Sequence, residues 1–416
     1  MDGDCGAFHL MSRHRNGNMI LCSIEIDGIP SREFIYRKLH NIAEQHTNLS
    51  YIPLEKKGFF RNTFHWKHGI LNLENHFIYT KKKKYDSKNF RRFINKCLAS
   101  SLPSGRPEWQ CHYLVYEKSN KSFIIWKSHH TYGDGFLLSE YIKKFTDVGS
   151  IHYPKKIRKR PSFVKMMYSL IVTFVTLLHF IFIYKKEYSE IDHPNADNDP
   201  TLFYHCKTWD INEIKYLKNY YSVTVNDLLY TIIIKSLRKY CNKPINISSL
   251  TTFNLRDYAQ EENMINSNPN DIGFMLVTNN IGDDEDIADL LDRCHEKFEN
   301  YKNSPLTDII IQSLRSIYYI SPKLVVSMLS FMGHKSTFGI SNFRTFSDCN
   351  YIDGCKIKNI SSMVVPYRMG MLFNIVSYDD KITLNMTYRK RNLKFPKKFI
   401  KGLEDIYQDL LEKSKI

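Results

Sequence analysis

The alternation of apolar and polar positions predicts strands and helices along most of the chain. Residues 121–126 have the composition of a buried strand, and residues 136–145 have the apolar spacing of an amphipathic helix. Closer to the N-terminus, residues 19–26 predict a first strand. Ser31 then begins a helix that extends to about His46, with apolar residues on its inner side. The first third of the chain is therefore expected to form a mixed α/β unit.

The second half has the same character, with three predicted helices and five predicted strands. The helices cover 210–220, 223–240 and 283–302, and the strands cover 201–209, 249–255, 337–343, 370–378 and 381–387. A polar linker at 192–200 precedes this half. The expected organisation is a first lobe at 1–150, a basic linker at 151–200 and a second lobe at 201–416.

One stretch of the linker, residues 166–184, carries no formal charge and is followed by Lys185 and Lys186. It is just long enough for a membrane span, which needs about 20 apolar residues. Three structures remain open: a single span, a helix lying in the membrane interface, or a buried or hairpin-like linker. Because a span would separate two lobes that must share one site, we expect monotopic insertion or a peripheral hydrophobic patch.

Composition narrows the class of partner. The 416 residues carry a formal net charge of +16, which favours an anionic partner such as nucleic acid, a membrane surface or a polyphosphate cofactor. No zinc-finger, Walker or RNA-recognition pattern is present, which argues against nucleic acid. The nine cysteines form no CxxC pair, which predicts free thiols in a reducing compartment. The N-terminal residues do not have the apolar core of a signal peptide.

Candidate chemistry is concentrated where the strand at 121–126 leads into the helix at 136–145. His129, His130, Asp134 and two glycines follow one another there. A histidine can take and return a proton near neutral pH, and Gly133 and Gly135 allow a tight chain path. Asp134 could orient a histidine ring, or it could pair elsewhere and hold the loop. The alternative is an ordinary strand–turn–helix corner with surface histidines.

These residues match a known signature. His129 to Gly135 resembles the HHxxxDG motif of the CoA-dependent acyltransferase superfamily, and the flanking sequence is similar to its wax ester synthase/diacylglycerol acyltransferase branch, in particular to the wax synthase type. Asn226-Asp227, the strand that ends at Arg256, and Ser341-Asn342 resemble further motifs of that family. Two departures are Glu108, where the family usually has leucine, and the residues from Phe343 onward, which replace Val-Pro-Gly-Pro.

The resemblance implies a two-lobed α/β (α+β) fold of the chloramphenicol acetyltransferase type. Mostly antiparallel mixed sheets would be flanked by helices, with a tunnel between the lobes. It also implies an acyl-CoA-dependent O-acyltransferase that esterifies a long-chain alcohol or diacylglycerol, producing a wax ester or triacylglycerol.

The resemblance assigns roles to individual residues as well. His130 would be the general base, with His129 and Asp134 holding the loop. Ser341 or Asn342 would donate to the oxyanion. The remaining candidates, which would shape the cleft, are Gly135, Asn226, Asp227 and Arg256. Of these, Arg256 would be the arginine of the other lobe that pairs with Asp134.

Two other functions remain open: acyl transfer to another small alcohol or amine, and acyl-CoA or lipid binding without turnover. Acyl-CoA is expected as a co-substrate, with no permanently bound cofactor and no metal. The expected location is a membrane, either the endoplasmic reticulum or the plasma membrane, with both lobes in the cytosol.

Overall fold

The computed structural model describes residues 9–11, 18–56, 63–103, 105–148, 162–186, 190–193, 199–254, 269–282, 285–345 and 348–415. Within these ranges, two six-stranded sheets and one two-stranded hairpin are packed with helices.

The elements of the first half comprise those predicted at 19–26, 31–46, 121–126 and 136–145 together with further strands and helices. They are β1 (Met19–Asp27), α1 (Arg32–Gln45), β2 (Tyr51–Lys56), β3 (Thr63–His68), β4 (Phe77–Lys82), α2 (Ser87–Ala99), β5 (Trp109–Tyr116), β6 (Lys121–His129), α3 (Gly135–Phe145) and α4 (Phe163–Leu178).

The elements of the second half include three consecutive helices between an edge strand and a central strand of the same sheet. They are β7 (Thr201–Asp210), α5 (Ile211–Tyr220), α6 (Val225–Cys241), β8 (Ile245–Asn254), β9 (Ile272–Ile281), α7 (Ile287–Asn303), α8 (Leu306–Ile320), α9 (Pro322–Lys335), β10 (Phe338–Arg344), β11 (Tyr351–Ile352), β12 (Cys355–Val364), β13 (Met371–Tyr378), β14 (Lys381–Arg389) and α10 (Pro396–Lys413).

The two sheets share a mixed, mostly antiparallel design. The first has the order β11-β12-β1-β6-β5-β4, in which only β4 and β5 pair in parallel. The second has the order β7-β14-β13-β10-β8-β9, in which β10 is parallel to both of its neighbours. The first sheet therefore takes two strands from residues 351–364, a crossover that the division at 1–150 and 201–416 does not include.

Local capping explains where the helices begin. The Ser31 side chain accepts from the backbone N–H of Phe34 at the start of α1. At the start of α6, the Thr224 side chain accepts from the Asp227 N–H while Asp227 accepts from the Thr224 N–H, which is a reciprocal capping box. Both helix starts lie where the sequence predicts them.

The hydrophobic linker forms α4 followed by a π-helical turn, His179–Ile183. Among the described residues, Phe163–Ile183 is a helix long and apolar enough to cross a membrane, and only 17% of its most apolar window is buried. It lies along the second lobe, because Ser169 and Thr173 hydrogen-bond to Asn300 of α7. At its far end, Phe180 packs with Leu276 of β9.

Candidate active site

The predicted strand–turn–helix junction holds the candidate histidines in a rigid turn. β6 ends at His129, a 3₁₀ turn covers His130–Tyr132, and α3 begins at Gly135. Gly133 has a φ of +153°, and a Cβ at this position would lie 2.8 Å from the Leu137 side chain. Only glycine fits such a backbone without displacing α3.

Asp134 is a buried N-cap that also contacts the opposite lobe. Its Oδ1 accepts from the backbone N–H groups of Phe136 and Leu137, both at 3.1 Å. Its Oδ2 accepts from the N–H of Asp271, which precedes β9, at 3.0 Å. Of the two roles left open by the sequence, these contacts correspond to holding the loop. Arg256, the predicted partner of Asp134, lies outside the described residues, so that pair stays a prediction.

His130 is oriented by an amide from the other lobe. Its Nδ1 lies 2.8 Å from Oδ1 of Asn270, and Nδ2 of Asn270 donates to the His130 carbonyl at 2.9 Å. Because the amide N is used as a donor, Oδ1 must be the acceptor, so Nδ1 carries the proton of the neutral ring and Nε2 the lone pair. Burial lowers the pKa of His130, although the Asp134 charge and the Asn270 hydrogen bond act in the opposite direction. The ring is therefore held as a neutral base.

Asn270 is a functional candidate that sequence reasoning missed. It is fully buried, and its segment contacts the histidine turn again because the Asp134 N–H donates to the Pro269 carbonyl at 3.0 Å. Arg315 of α8 forms a 2.7 Å ion pair with Asp271 and supports the segment from behind. The signal in the sequence is only a Pro-Asn-Asp run before a strand, which indicates a turn. Nothing in that run identifies His130 as its partner.

His129 lies behind the turn, where it is 4% exposed. Its Nδ1 accepts from the Thr131 N–H at 3.2 Å and contacts the Thr131 hydroxyl, and its ring packs edge-on against His9. Burial lowers the pKa of His129 to about 3, with smaller contributions from the charges of His9 and His130. A neutral, buried ring bonded to its own turn is suited to holding the loop.

Glu108, the first departure from the family pattern, lies on the same side of the turn. Its Oε2 is 3.9 Å from Nδ1 of His129, and its carbonyl accepts from the His129 N–H at 3.0 Å. Burial raises the pKa of Glu108 to about 7. The usual leucine is thus replaced by a carboxyl group that is partly protonated near neutral pH.

A cavity of about 120 Å³ runs between the lobes and reaches His130. Its polar lining residues include Asn18, His130, Asp134 and Ser341. The rest is apolar and is lined mainly by the second lobe: Met11, Gly135, Leu250, Thr252, Ile272, Phe274, Leu329, Met332, Gly333, Gly339, Ile340, Val364, Val365, Tyr367, Met369 and Leu372. Such a narrow apolar space with a few convergent polar groups suits an extended hydrocarbon chain with a polar end.

The two oxyanion candidates have different positions. Ser341 lines the cavity, whereas Nδ2 of Asn342 donates to Oδ1 of Asn226 at 2.9 Å. The Asn226–Asn342 bond joins α6 to β10, so it fixes the strand that presents Ser341. Asp227 acts in the capping box and also accepts from Nδ1 of His295 at 2.6 Å. The structure thus brings Asn226 and Asn342 together and places Ser341 alone beside the cavity.

Gly135 is the point where the lobes approach most tightly beside the motif. A Cβ added there would lie 3.1 Å from Cδ1 of Phe343 on β10. Phe343, which replaces the family's valine, therefore packs directly over the start of α3. As for metal ligands, no group of three His, Cys, Asp or Glu side chains could hold an ion within the described ranges.

Comparison with known proteins agrees with this geometry. Residues 269–410 match the family model described as the WS/DGAT C-terminal domain. The chain is 22% identical over 353 residues to wax ester synthase/diacylglycerol acyltransferase 11 of Arabidopsis thaliana, covering 71% of each chain. The matched family segment begins at Pro269, beside the residue that orients His130.

Solved structures show the same fold. The wax ester synthase/diacylglycerol acyltransferase of Marinobacter aquaeolei VT8 superposes with a TM-score of 0.65 at 14% identity, covering 99% of each chain. A trichothecene 15-O-acetyltransferase from Fusarium sporotrichioides superposes with a TM-score of 0.68 at 10% identity, covering 99% of this chain and 94% of the other. The two-lobed acyltransferase fold expected from the sequence is confirmed.

Proposed function

We propose that this chain is a member of the wax ester synthase/diacylglycerol acyltransferase family and acts as an acyl-CoA-dependent O-acyltransferase that esterifies a long-chain alcohol or diacylglycerol. The observation that carries the proposal is His130, which lines a mostly apolar cavity and whose Nδ1 is held by Asn270. A base in that position can act on a hydroxyl whose hydrocarbon part occupies the cavity.

The reaction is a direct transfer within a ternary complex. Nε2 of His130 takes the proton from the acceptor hydroxyl, and the oxygen attacks the thioester carbonyl. The tetrahedral intermediate collapses with cleavage of the C–S bond, and the imidazolium returns the proton to the departing CoA sulfur. Such proton transfer contributes roughly 10²–10⁴ in rate.

Ser341 is the better candidate to donate a hydrogen bond to the oxyanion, because it lines the cavity whereas the amide of Asn342 is bonded to Asn226. Removing one such donor costs about 3–4 kcal/mol of transition-state stabilisation in other acyl-transfer enzymes. His129 and Asp134 keep the turn in place. Acyl-CoA acts as a co-substrate, and the net charge of +16 favours its phosphates.

Membrane contact is part of the same proposal. The outer side of α4 and its π-turn carries large apolar side chains that are more than a third exposed: Phe163, Val164, Met167, Tyr168, Ile171, Phe174, Val175, Leu178, Ile181, Phe182 and Ile183. Leaving them in water costs about 25 cal/mol per Å² of apolar surface. Because the inner side of this helix is bonded to α7, we propose that it lies in the membrane interface with both lobes in the cytosol, at the endoplasmic reticulum or plasma membrane.

Ester synthesis by purified protein tests the proposal. Wild type incubated with labelled palmitoyl-CoA and hexadecanol or diacylglycerol should form the ester, and His130→Ala should lose about 10²-fold or more in kcat. His40→Ala is the matched control, because His40 is an exposed histidine of α1 that pairs with Glu44 and does not line the cavity. Binding of acyl-CoA by wild type without any ester would instead support a lipid-binding protein. Equal ester formation by wild type and His130→Ala would refute the mechanism.

A further inference from the structure

Helix α9 has two apolar sides, one facing the cavity and the other facing outward. Leu329, Met332 and Gly333 line the cavity. On the opposite side, Leu324, Met328 and Phe331 are 50%, 39% and 47% exposed. The residues of each set are spaced three or four apart or adjacent in the sequence, so each set lies on one side of the helix and consists of several residues. A helix that is apolar on both sides is suited to contact with lipid.

The exposed side of α9 lies near the exposed apolar residues of α4. Met332 packs against the cluster of Phe180, Tyr184 and Leu276, which includes the π-turn that follows α4. Lys335 at the end of α9 donates to the Ile181 carbonyl of the same π-turn at 2.8 Å. We call the combined surface the apolar face; it contains the exposed apolar residues of α4 and its π-turn together with Leu324, Met328 and Phe331 of α9.

The charges near this surface suit a bilayer. Lys185, just after the π-turn, and Lys323, in the first turn of α9, are both exposed, as is His334 at the end of α9. Basic side chains beside apolar helices interact favourably with lipid headgroups, while the apolar residues enter the acyl region. The occupant of the apolar face is therefore a membrane rather than a second protein.

We propose that a membrane-resident lipid alcohol enters the cavity from the bilayer past α9, between Met328 and Met332. The inference rests on the proposed acyltransfer function and adds the source and route of the acceptor. Met332 carries the argument, because one side chain contributes both to the cavity wall and to the packing beneath the exposed π-turn. A single helix is thus all that separates the cavity from the apolar face at this level.

The hydrophobic effect explains why such a route is needed. Moving a long-chain alcohol from lipid into water is unfavourable for every CH₂ group that becomes hydrated, so the cost is large for a sixteen-carbon chain. An acceptor that had to pass through water would be present there at a negligible concentration. Displacing packed apolar side chains of α9 by an apolar chain replaces one set of dispersion contacts by another.

The test compares two alcohols with the same acyl-CoA. Hexadecanol in phosphatidylcholine vesicles must use the route past α9, whereas butanol reaches the cavity from water. Phe331→Glu places a carboxylate on the outer side of α9, one turn before Lys335. The Lys335 ammonium, which lies 5.3 Å from the centre of the Phe331 ring, then keeps an attractive partner at position 331. We expect the hexadecanol-to-butanol ratio, measured per vesicle-bound enzyme, to fall about tenfold or more.

Phe395→Glu is the matched control, since Phe395 is an exposed phenylalanine at the start of α10, away from the apolar face. Its ratio should stay within about twofold of wild type. An unchanged ratio in Phe331→Glu, or an equal loss with both alcohols, would overturn the proposed route.

A binding readout separates failure of this route from failure of the proposed enzyme. Photoreactive hexadecanol in vesicles should label residues 321–335 of His130→Ala, which cannot turn over, several-fold more than residues 396–413. Labelling of α9 without ester formation by wild type would reject the enzyme and keep the route. Ester formation without labelling of α9 would do the opposite.

Discussion

Two parts of the cavity wall are built in different ways. The histidine turn is joined to the opposite lobe by hydrogen bonds involving Pro269, Asn270 and Asp271. Helix α9 presents Leu329 and Met332, whose side chains make apolar packing contacts that are not directional. The comparison teaches that reacting atoms need fixed positions, whereas the passage of a hydrocarbon chain needs a wall that can be displaced at low cost.

The largest effect on activity should come from removing the hydrogen bonds that hold His130. Asn270→Ala removes both bonds to His130, so the ring loses its preferred tautomer and orientation. We expect kcat for ester formation to fall about 10²-fold with little change in KM, because the loss concerns alignment in the transition state. Steady-state kinetics with a soluble short alcohol would measure this, and an unchanged kcat would show that the turn is held well enough without Asn270.

Asn270→Asp is the conservative companion. A carboxylate still accepts from Nδ1 of His130 and should restore part of kcat, but its charge favours the imidazolium and raises the pKa of His130. The acidic limb of the pH–kcat profile should therefore move to higher pH than in wild type, where burial lowers that pKa. A merely structural defect would leave the position of the limb unchanged.

A smaller effect is expected on the stability of the protein at acidic pH. Burial lowers the pKa of His46 and of His112 to about 4, and that of His129 to about 3. Between pH 6.5 and 4 the unfolded chain binds these protons while the folded chain does not, so the free energy of unfolding should fall as pH falls.

Each histidine adds at most about 1.4 kcal/mol per pH unit to this slope, and Glu108, with its pKa raised to about 7, opposes it between pH 7 and 4.5. Denaturant titrations at several pH values would measure the slope of the free energy of unfolding against pH. In His112→Gln this slope should decrease by up to the contribution of one bound proton. An identical slope in that variant would contradict the assignment of a buried neutral ring to His112.

The smallest effect concerns the attachment of α9. The hydroxyl groups of Ser330 and Tyr367 are 2.6 Å apart, and Tyr367 lines the cavity. Tyr367→Phe and Ser330→Ala should each reduce stability by about 0.5–1.5 kcal/mol, with little further loss in the double variant. Hydrogen exchange should become faster in α9 and stay unchanged at the histidine turn. Additive losses would show that the two hydroxyl groups do not act as a pair.

Local sequence determined most of the elements. Ser31 and the Thr224–Asp227 box start helices through contacts within four residues, so their positions could be predicted. The same holds for the junction at His129–Gly135, where a buried strand, two glycines and an amphipathic pattern follow in order. The hydrophobic segment was also evident from its apolar composition alone.

Contacts between distant residues could not be predicted in this way. Asn270 lies 140 residues from His130, and β12 joins a sheet whose other long strands end by residue 129. A turn-forming asparagine looks the same in sequence whether it faces solvent or an imidazole. The difference between Ser341 and Asn342 likewise depends on Asn226, which lies on a separate helix.

The sequence by itself determined many of the helices and strands, the motif histidines and the apolar segment, because each is encoded by neighbouring residues. Tertiary structure alone decided which nitrogen of His130 carries the proton, that Asp134 caps α3 and contacts Asp271, and that α9 separates the cavity from the apolar face. The physical reason is that hydrogen bonding and burial depend on which groups meet in space, and these groups come from both lobes.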